Sequence, residues 1–239
     1  MNTFETILFT KHNHIASITL NRPRVLNALN VQMRDELYEV LHAIIDDSEV
    51  RVVIFSGMGE RAFCSGADLS EFLTAPPPTA AREIRFYRDL WGLFIDVPQP
   101  LIAAVHGYVL GAGIELAMCC DIRIASEDAQ FGLPEIGLGI IPAAGGTQTV
   151  PRVAGRGRAL EMALTNRFIK APEALTSHMV NKVVPKAMLL PTAEKIAYTI
   201  ATHDPAVIRK AKQAIVRGLD LSLSQGLELE KRLSLQCTL

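Results

Sequence analysis

Residues 101–147, LIAAVHGYVLGAGIELAMCCDIRIASEDAQFGLPEIGLGIIPAAGGT, constrain this chain more than any other stretch. The apolar run Leu101–Val105 predicts a strand, and Gly107, Gly111 and Gly113 predict a corner. Residues 114–120 predict a helix. Residues 122–125 predict a second strand, leading to a loop that ends at Pro134-Glu135. Glycines gathered in this way serve unusual backbone torsions or close approach to another group. Two carboxylates, Glu115 and Glu135, stand alone in these apolar, small-residue surroundings. The stretch therefore predicts an acid/base pair beside a cradle of backbone N–H donors.

The rest of the chain supports a large aliphatic core. Its 239 residues fit one large domain, or one domain with a small appendage, and 49% of them are hydrophobic. With 24 Lys+Arg against 25 Asp+Glu, and no clustered basic face, the composition argues against a nucleic-acid footprint. The most apolar run, residues 93–110, is interrupted by Asp96, two prolines, a His and a Gly, so no membrane span is expected. The N-terminus MNTFETILFT lacks the basic start and apolar core of a secretory signal. Cys64, Cys119, Cys120 and Cys237 show neither CxxC spacing nor a paired framework. That pattern points to a cytoplasmic setting and away from a structural zinc site.

In chain order, residues 7–9 and Ile15–Leu20 alternate apolar and polar around His12-Asn13-His14, a hairpin pattern. Asn30 can cap a helix whose stripe is Met33, Leu37, Val40, Leu41, Ile44 and Ile45. Residues 52–55 read as a strand covered on both faces. Residues 62–69 read as a small-residue loop leading to a helix start. Residues 74–81 hold three consecutive prolines and read as a surface connection. Ile84, Tyr87, Trp91 and Phe94 form a helical stripe. After the central stretch, residues 158–164, 172–178, 189–203, 205–217 and Leu223–Leu235 read as helices, and residues 181–184 as a short strand. The pattern predicts an α/β core followed by a helical C-terminal region. Residues 52–69 and 101–116 share one plan: apolar strand, small-residue corner, helix.

Each chemical feature has a plainer counterpart. A helix beginning near Gly111–Gly113 leaves its first N–H groups without partners, and the loop at Gly66-Ala67 can present another. Two such donors meeting at one point would stabilise an oxyanion; alternatively, the glycines only let helices pack closely. Glu115 is either half of a catalytic pair or an acid placed at a helix start by the macrodipole. Glu135 is either its partner or a surface acid. Facing each other in a poorly solvated pocket, the two would separate in pKa and divide acid and base roles. His106, at the end of an apolar run, reads as a core residue. Arg209, Lys210 and Lys212 read as a solvated helix face. No GxSxG elbow and no GxxxxGK[ST] loop is present.

Four motifs carry a resemblance: LNRPRVLNAL (residues 20–29), AFCSGADL (62–69), HGYVLGAGIELAMCCDIRIAS (106–126) and FGLPEIGLGIIPAAGGTQ (131–148). In this order the chain resembles the enoyl-CoA hydratase/isomerase (crotonase) family over most of its length. The resemblance implies an α/β fold in which a spiral of ββα turns, residues 1–185, carries the active site and residues 186–239 form a helical C-terminal region. It implies a homotrimer or dimer of trimers, an acyl-CoA substrate, and no metal or redox cofactor.

By the same resemblance, the N–H groups of Ala67 and Ala112 would hold the thioester oxygen. Glu115 would activate the water that adds to the β-carbon, and Glu135 would protonate the α-carbon. Arg24, Leu26, Ser65, Gly66, Asp68 and Leu69 would line the CoA moiety, with Ala143 beside the water. The expected activity is enoyl-CoA hydratase. The alternatives are another reaction of the family, such as isomerase or decarboxylase, or acyl-CoA binding without turnover. Ala112 and Ala143 stand where glycine is common. The chain also stops short of the family's usual C-terminal tail, so either the sequence is incomplete or the pocket is more open.

Overall fold

A computed structural model describes residues 4–74 and 88–237. The expected surface connection over residues 74–81, apart from Thr74, and Ile84 and Tyr87 of the expected stripe lie outside the described residues.

Two sheets organise the molecule. The larger has the order β1-β2-β3-β5-β7-β10. Its strands are β1 (Ile7–His12), β2 (Ile15–Leu20), β3 (Val52–Gly57), β5 (Leu101–Val105), β7 (Ile122–Ser126) and β10 (Lys182–Val184). The first pair is the expected antiparallel hairpin, and every later pairing is parallel. The smaller sheet has the order β4-β6-β8-β9, formed by β4 (Ala62–Cys64), β6 (Tyr108–Leu110), β8 (Gln130–Gly132) and β9 (Ile169–Lys170). Three times in succession the chain leaves the large sheet for the small one: β3 to β4, β5 to β6, β7 to β8. A helical segment follows each time, namely Leu69–Thr74, Ala112–Cys119 and Pro134–Leu138. This is the spiral of ββα turns.

Side-chain alternation sets the two core layers. Val53, Phe55, Leu101, Ala103 and Val105 point into one core, which also takes Met33, Leu37, Val40, Leu41 and Ile44 of the helix Val31–Asp46. Val52, Ile54, Ile102, Ala104 and Ile124 point the other way, against Leu189, Ala193, Ala197 and Ala201 of the helix Leu189–Ala201. The central strands are thus covered on both faces, as their unbroken apolar runs require. Asn30 caps the first helix by accepting from the Met33 amide at 2.9 Å. The expected division between residues 185 and 186 falls between β10 and the short turn Lys186–Met188.

The structure corrects three expectations. Residues 62–69 are not wholly a loop, because β4 pairs in parallel with β6. A three-residue strand is too short to show a period of two. The helix Gly146–Ala154 was not expected, since it begins at two glycines and encloses Pro151. The proline costs one backbone hydrogen bond in a short helix whose Val150 is fully buried. Arg209 and Lys212 of the helix Pro205–Gly218 are pins rather than part of a solvated face. Lys212 pairs with Asp121 at 2.7 Å and donates to the Gln99 carbonyl at 2.9 Å. Arg209 donates to the Val50 carbonyl and Lys210 to that of Gln236.

Candidate active site

β4 and β6 are parallel neighbours, so the loops that follow them emerge at the same end of the small sheet. The first loop is Ser65-Gly66-Ala67 and the second is Gly111-Ala112. Gly66 at φ +112 and Gly111 at φ +49 hold torsions that favour glycine. The loops touch: a Cβ on Gly111 would stand 3.6 Å from the Gly66 Cα, and one on Gly66 would stand 3.3 Å from the Leu110 carbonyl oxygen. Several neighbouring backbone groups are hydrogen-bonded. Leu29 donates to Gly66, Asp68 to Leu29, Gly111 to Gly132, and Glu115 to Gly111. The amides of Ala67 and Ala112 have no such acceptor among the described residues. Ala112 opens the helix Ala112–Cys119, where aligned peptides leave partial positive charge.

The two readings of the glycines both hold, at different positions. Gly113 serves packing, since a Cβ there would lie 2.3 Å from the Cys64 carbonyl oxygen. Gly111 serves the torsion and leaves room for a carboxylate: its Cβ would lie 2.7 Å from Glu135 Oε1.

Glu115 and Glu135 line one cleft of about 1500 Å³, together with Ala67, Ala112 and Ala143. They are 2% and 8% exposed. Glu115 Oε1 accepts from the Gly146 amide at 2.7 Å and the Ala144 amide at 3.0 Å. Burial pushes its pKa up to about 7, the two amides pull the other way, and the like charge of Glu135 adds to the rise. Glu135 sits on the turn Pro134–Leu138 that follows β8. Its Oε2 is buried without a hydrogen-bond partner among the described residues, and burial raises its pKa as well.

Among the residues expected at the CoA moiety, Ser65, Gly66, Asp68 and Leu69 line the cleft. Arg24 and Leu26 do not; Val25, Ala28 and Leu29 line it instead. A 3-10 turn, Pro23–Val25, followed by left-handed Leu26 and Asn27, changes which residues of the motif face inward. Leu26 contributes its carbonyl, which accepts from the Ser65 amide at 3.0 Å. Asp68 is bound by Ser70 and by Arg22, the latter at 2.8 Å, and both bonds lower its pKa. His106 is buried in the core, outside the cleft lining, and burial lowers its pKa. Ala144, Gly146, Arg22 and Asn166 are the residues at or beside the site that sequence reasoning missed. The first two act through backbone amides, which leave no mark on residue type. Among the described residues no cluster of His, Cys, Asp and Glu could hold a metal ion.

The sequence pattern of the enoyl-CoA hydratase/isomerase family matches residues 10–238. The chain belongs to the enoyl-CoA hydratase/isomerase family. It is 41% identical over 231 residues to the short-chain-enoyl-CoA hydratase of Clostridium acetobutylicum, covering 97% of this chain and 88% of that protein. It is 39% identical over 228 residues to the crotonyl-CoA hydratase of Syntrophomonas wolfei, covering 95% of this chain and 87% of that one. The crystal structure of an enoyl-CoA hydratase from Bacillus anthracis superposes with a TM-score of 0.91 at 41% identity, covering 96% of this chain and 90% of that one. In this member of the enoyl-CoA hydratase/isomerase family, unsatisfied amides and buried carboxylates thus meet at one cleft.

Proposed function

We propose that this chain is an enoyl-CoA hydratase. It adds water across the α,β double bond of an acyl-CoA thioester to give a 3-hydroxyacyl-CoA. The observation that carries the reading is the shared cleft of Glu115 and Glu135 beside the unsatisfied amides of Ala67 and Ala112. Both named relatives, the short-chain-enoyl-CoA and crotonyl-CoA hydratases, support it.

In this reading the thioester oxygen accepts from the two amides, so charge gathering on it is held by fixed donors. Removing one donor of this kind costs about 3–4 kcal/mol of barrier. Glu115, with Oε1 held by Ala144 and Gly146, takes a proton from water through its other oxygen. The freed oxygen forms the bond to the β-carbon, and the π electrons shift through the α-carbon toward the thioester oxygen. Glu135 then gives its proton to the α-carbon, restoring the thioester carbonyl. Ala143 lines the water's side of the cleft. No metal or redox cofactor takes part, and coenzyme A belongs to the substrate.

We further propose a homotrimer or dimer of trimers in the cytoplasm. Ile215, Leu223, Leu227 and Leu235 of the last two helices, and Leu219 between them, are exposed apolar residues, which supports assembly. Four unpaired cysteines support a reducing compartment.

The test is crotonyl-CoA hydration, followed as loss of the conjugated-thioester absorbance with product identification. Isomerised product from crotonyl-CoA, or loss of CO2 from a carboxyl-bearing acyl-CoA assayed beside it, would move the chain to another reaction of the family. Tight acyl-CoA binding without turnover would make it a binding subunit.

A further inference from the structure

Asn166 lies outside every motif that pointed to the site, yet it lines the same cleft as Glu115 and Glu135. It ends the helix Arg156–Thr165 in the left-handed conformation, at φ +53. Asparagine tolerates that conformation better than most residues. Its carboxamide packs against Gly137, where a Cβ would stand 2.8 Å from Nδ2. Gly137 is two residues past Glu135 on the same turn. Two acceptor oxygens are then buried without partners among the described residues in one cleft: Asn166 Oδ1 and Glu135 Oε2. Unsatisfied buried acceptors are costly and call for a donor. A proton carried by Glu135 is such a donor.

We propose that Asn166 is a positioning residue that keeps the acid proton on Glu135, its carboxamide oxygen accepting that proton directly or through one water. This inference rests on the hydratase reading, in which Glu135 is the acid. The neutral acid gains a hydrogen bond, whereas the carboxylate would face a second acceptor, so Asn166 favours the protonated form. Glu115 faces the turn from the helix Ala112–Cys119. The helix Arg156–Thr165, which packs on the turn, carries Arg156, Arg158 and Glu161. Arg158 and Glu161 are closed into ion pairs with Glu173 and Arg167. Arg156, Arg158, Glu161, Arg167 and Glu173 do not line the cleft, whereas Glu115, Arg34, Asp68, Glu71, Arg88 and Asp89 do.

The experiment compares Asn166→Gly and Asn166→Asp, both compatible with a positive φ. Two readouts are taken: the pH profile of kcat/KM with crotonyl-CoA, and NMR titration of carbon-13-labelled glutamate carboxyls, with Glu135 assigned through Glu135→Gln. The glycine variant removes the acceptor, so the Glu135 titration and the alkaline limb move down by about half a pH unit or more. The aspartate variant adds a like charge, so both move up by a similar amount or more. Unmoved titrations in both variants, or shifts in one direction only, would overturn the proposal, as would lower melting temperatures with wild-type titrations. Failure of the wild-type chain to hydrate crotonyl-CoA would instead remove the functional reading, while the NMR titration would still decide what Asn166 does.

Discussion

Glu115 Oε1 lies 2.7 Å from the amide nitrogen of Gly146, the first residue of a helix that starts across the cleft. One carboxylate oxygen is therefore committed to the backbone, and the other has a fixed direction. The position of the base is set by a main-chain donor two strands and several loops away in sequence. Its consequences are measurable.

Glu115→Gln and Glu135→Gln each remove one proton-transfer group and keep the side-chain shape. Each is expected to lower kcat by about 10²–10⁴-fold in the crotonyl-CoA assay. Far-ultraviolet circular dichroism should remain that of the wild type. Unchanged rates in both variants would refute the assigned roles.

The pKa of about 7 at Glu115 sets an acid limb. As the base it must be ionised, so kcat/KM should fall tenfold per unit as pH drops below about 7. Glu135 acts in its protonated form and sets the alkaline limb. Because the two groups interact, the limbs report the pair rather than either residue alone. A profile flat from pH 5 to 9, within about twofold, would contradict this arrangement.

Stability should respond to pH through the same residue. The folded-state pKa of Glu115 is raised above its ordinary 4.5 to about 7. Its contribution is full below about 4.5 and is lost as pH rises through about 7. Glu115→Gln has no charge to bury and still offers an oxygen to both amides. At pH 8 the variant should be more stable than the wild type by about 3 kcal/mol. The gain should read as a higher Tm by calorimetry and should vanish near pH 4.5.

Gly146→Ala tests the anchor itself. The added Cβ would meet Glu115 Oε1 at 2.8 Å and Glu115 Cγ at 3.0 Å, so the carboxylate must shift. A displacement of about 1 Å costs on the order of 10²-fold in rate. We expect a kcat loss of that order with little change in KM, read by steady-state kinetics.

Lys212→Ala removes a cation that is only 11% exposed and bonded to Asp121 and the Gln99 carbonyl. Asp121 also accepts from the Leu101 amide at the start of β5, so the lost cation leaves that carboxylate partly uncompensated. A loss of about 2–3 kcal/mol in chemical denaturation is expected. Arg217→Ala, whose partner Asp96 is exposed, should cost less than about 1 kcal/mol.

What the sequence disclosed follows from how far each signal reaches along the chain. The helix Val31–Asp46 was legible because its cap and its buried stripe recur every three to four residues. The strands β3 and β5 were legible as apolar runs closed by small residues. β4, β6 and β8 were not, since three residues cannot display an alternation, and their pairing joins segments far apart in sequence. Glu115 and Glu135 stood out as isolated acids. That they share a cleft depends on β6 and β8 being neighbours, which no local pattern reports. Arg24 and Leu26 were placed near the cleft through their motif, but which residues face inward depends on two left-handed torsions. Lys212 looked like an ordinary surface cation until the last helices folded back on Asp121.

The unsatisfied donors at Ala67 and Ala112 belong to the main chain, and this determines what mutagenesis can detect. Both positions are already alanine, so an alanine scan leaves them untouched and their N–H groups in place. Only changes that delete the hydrogen, such as proline or an amide-to-ester replacement introduced by semisynthesis, would expose their contribution. The group proposed to carry the developing charge is therefore one that most genetic surveys of this enzyme would score as silent.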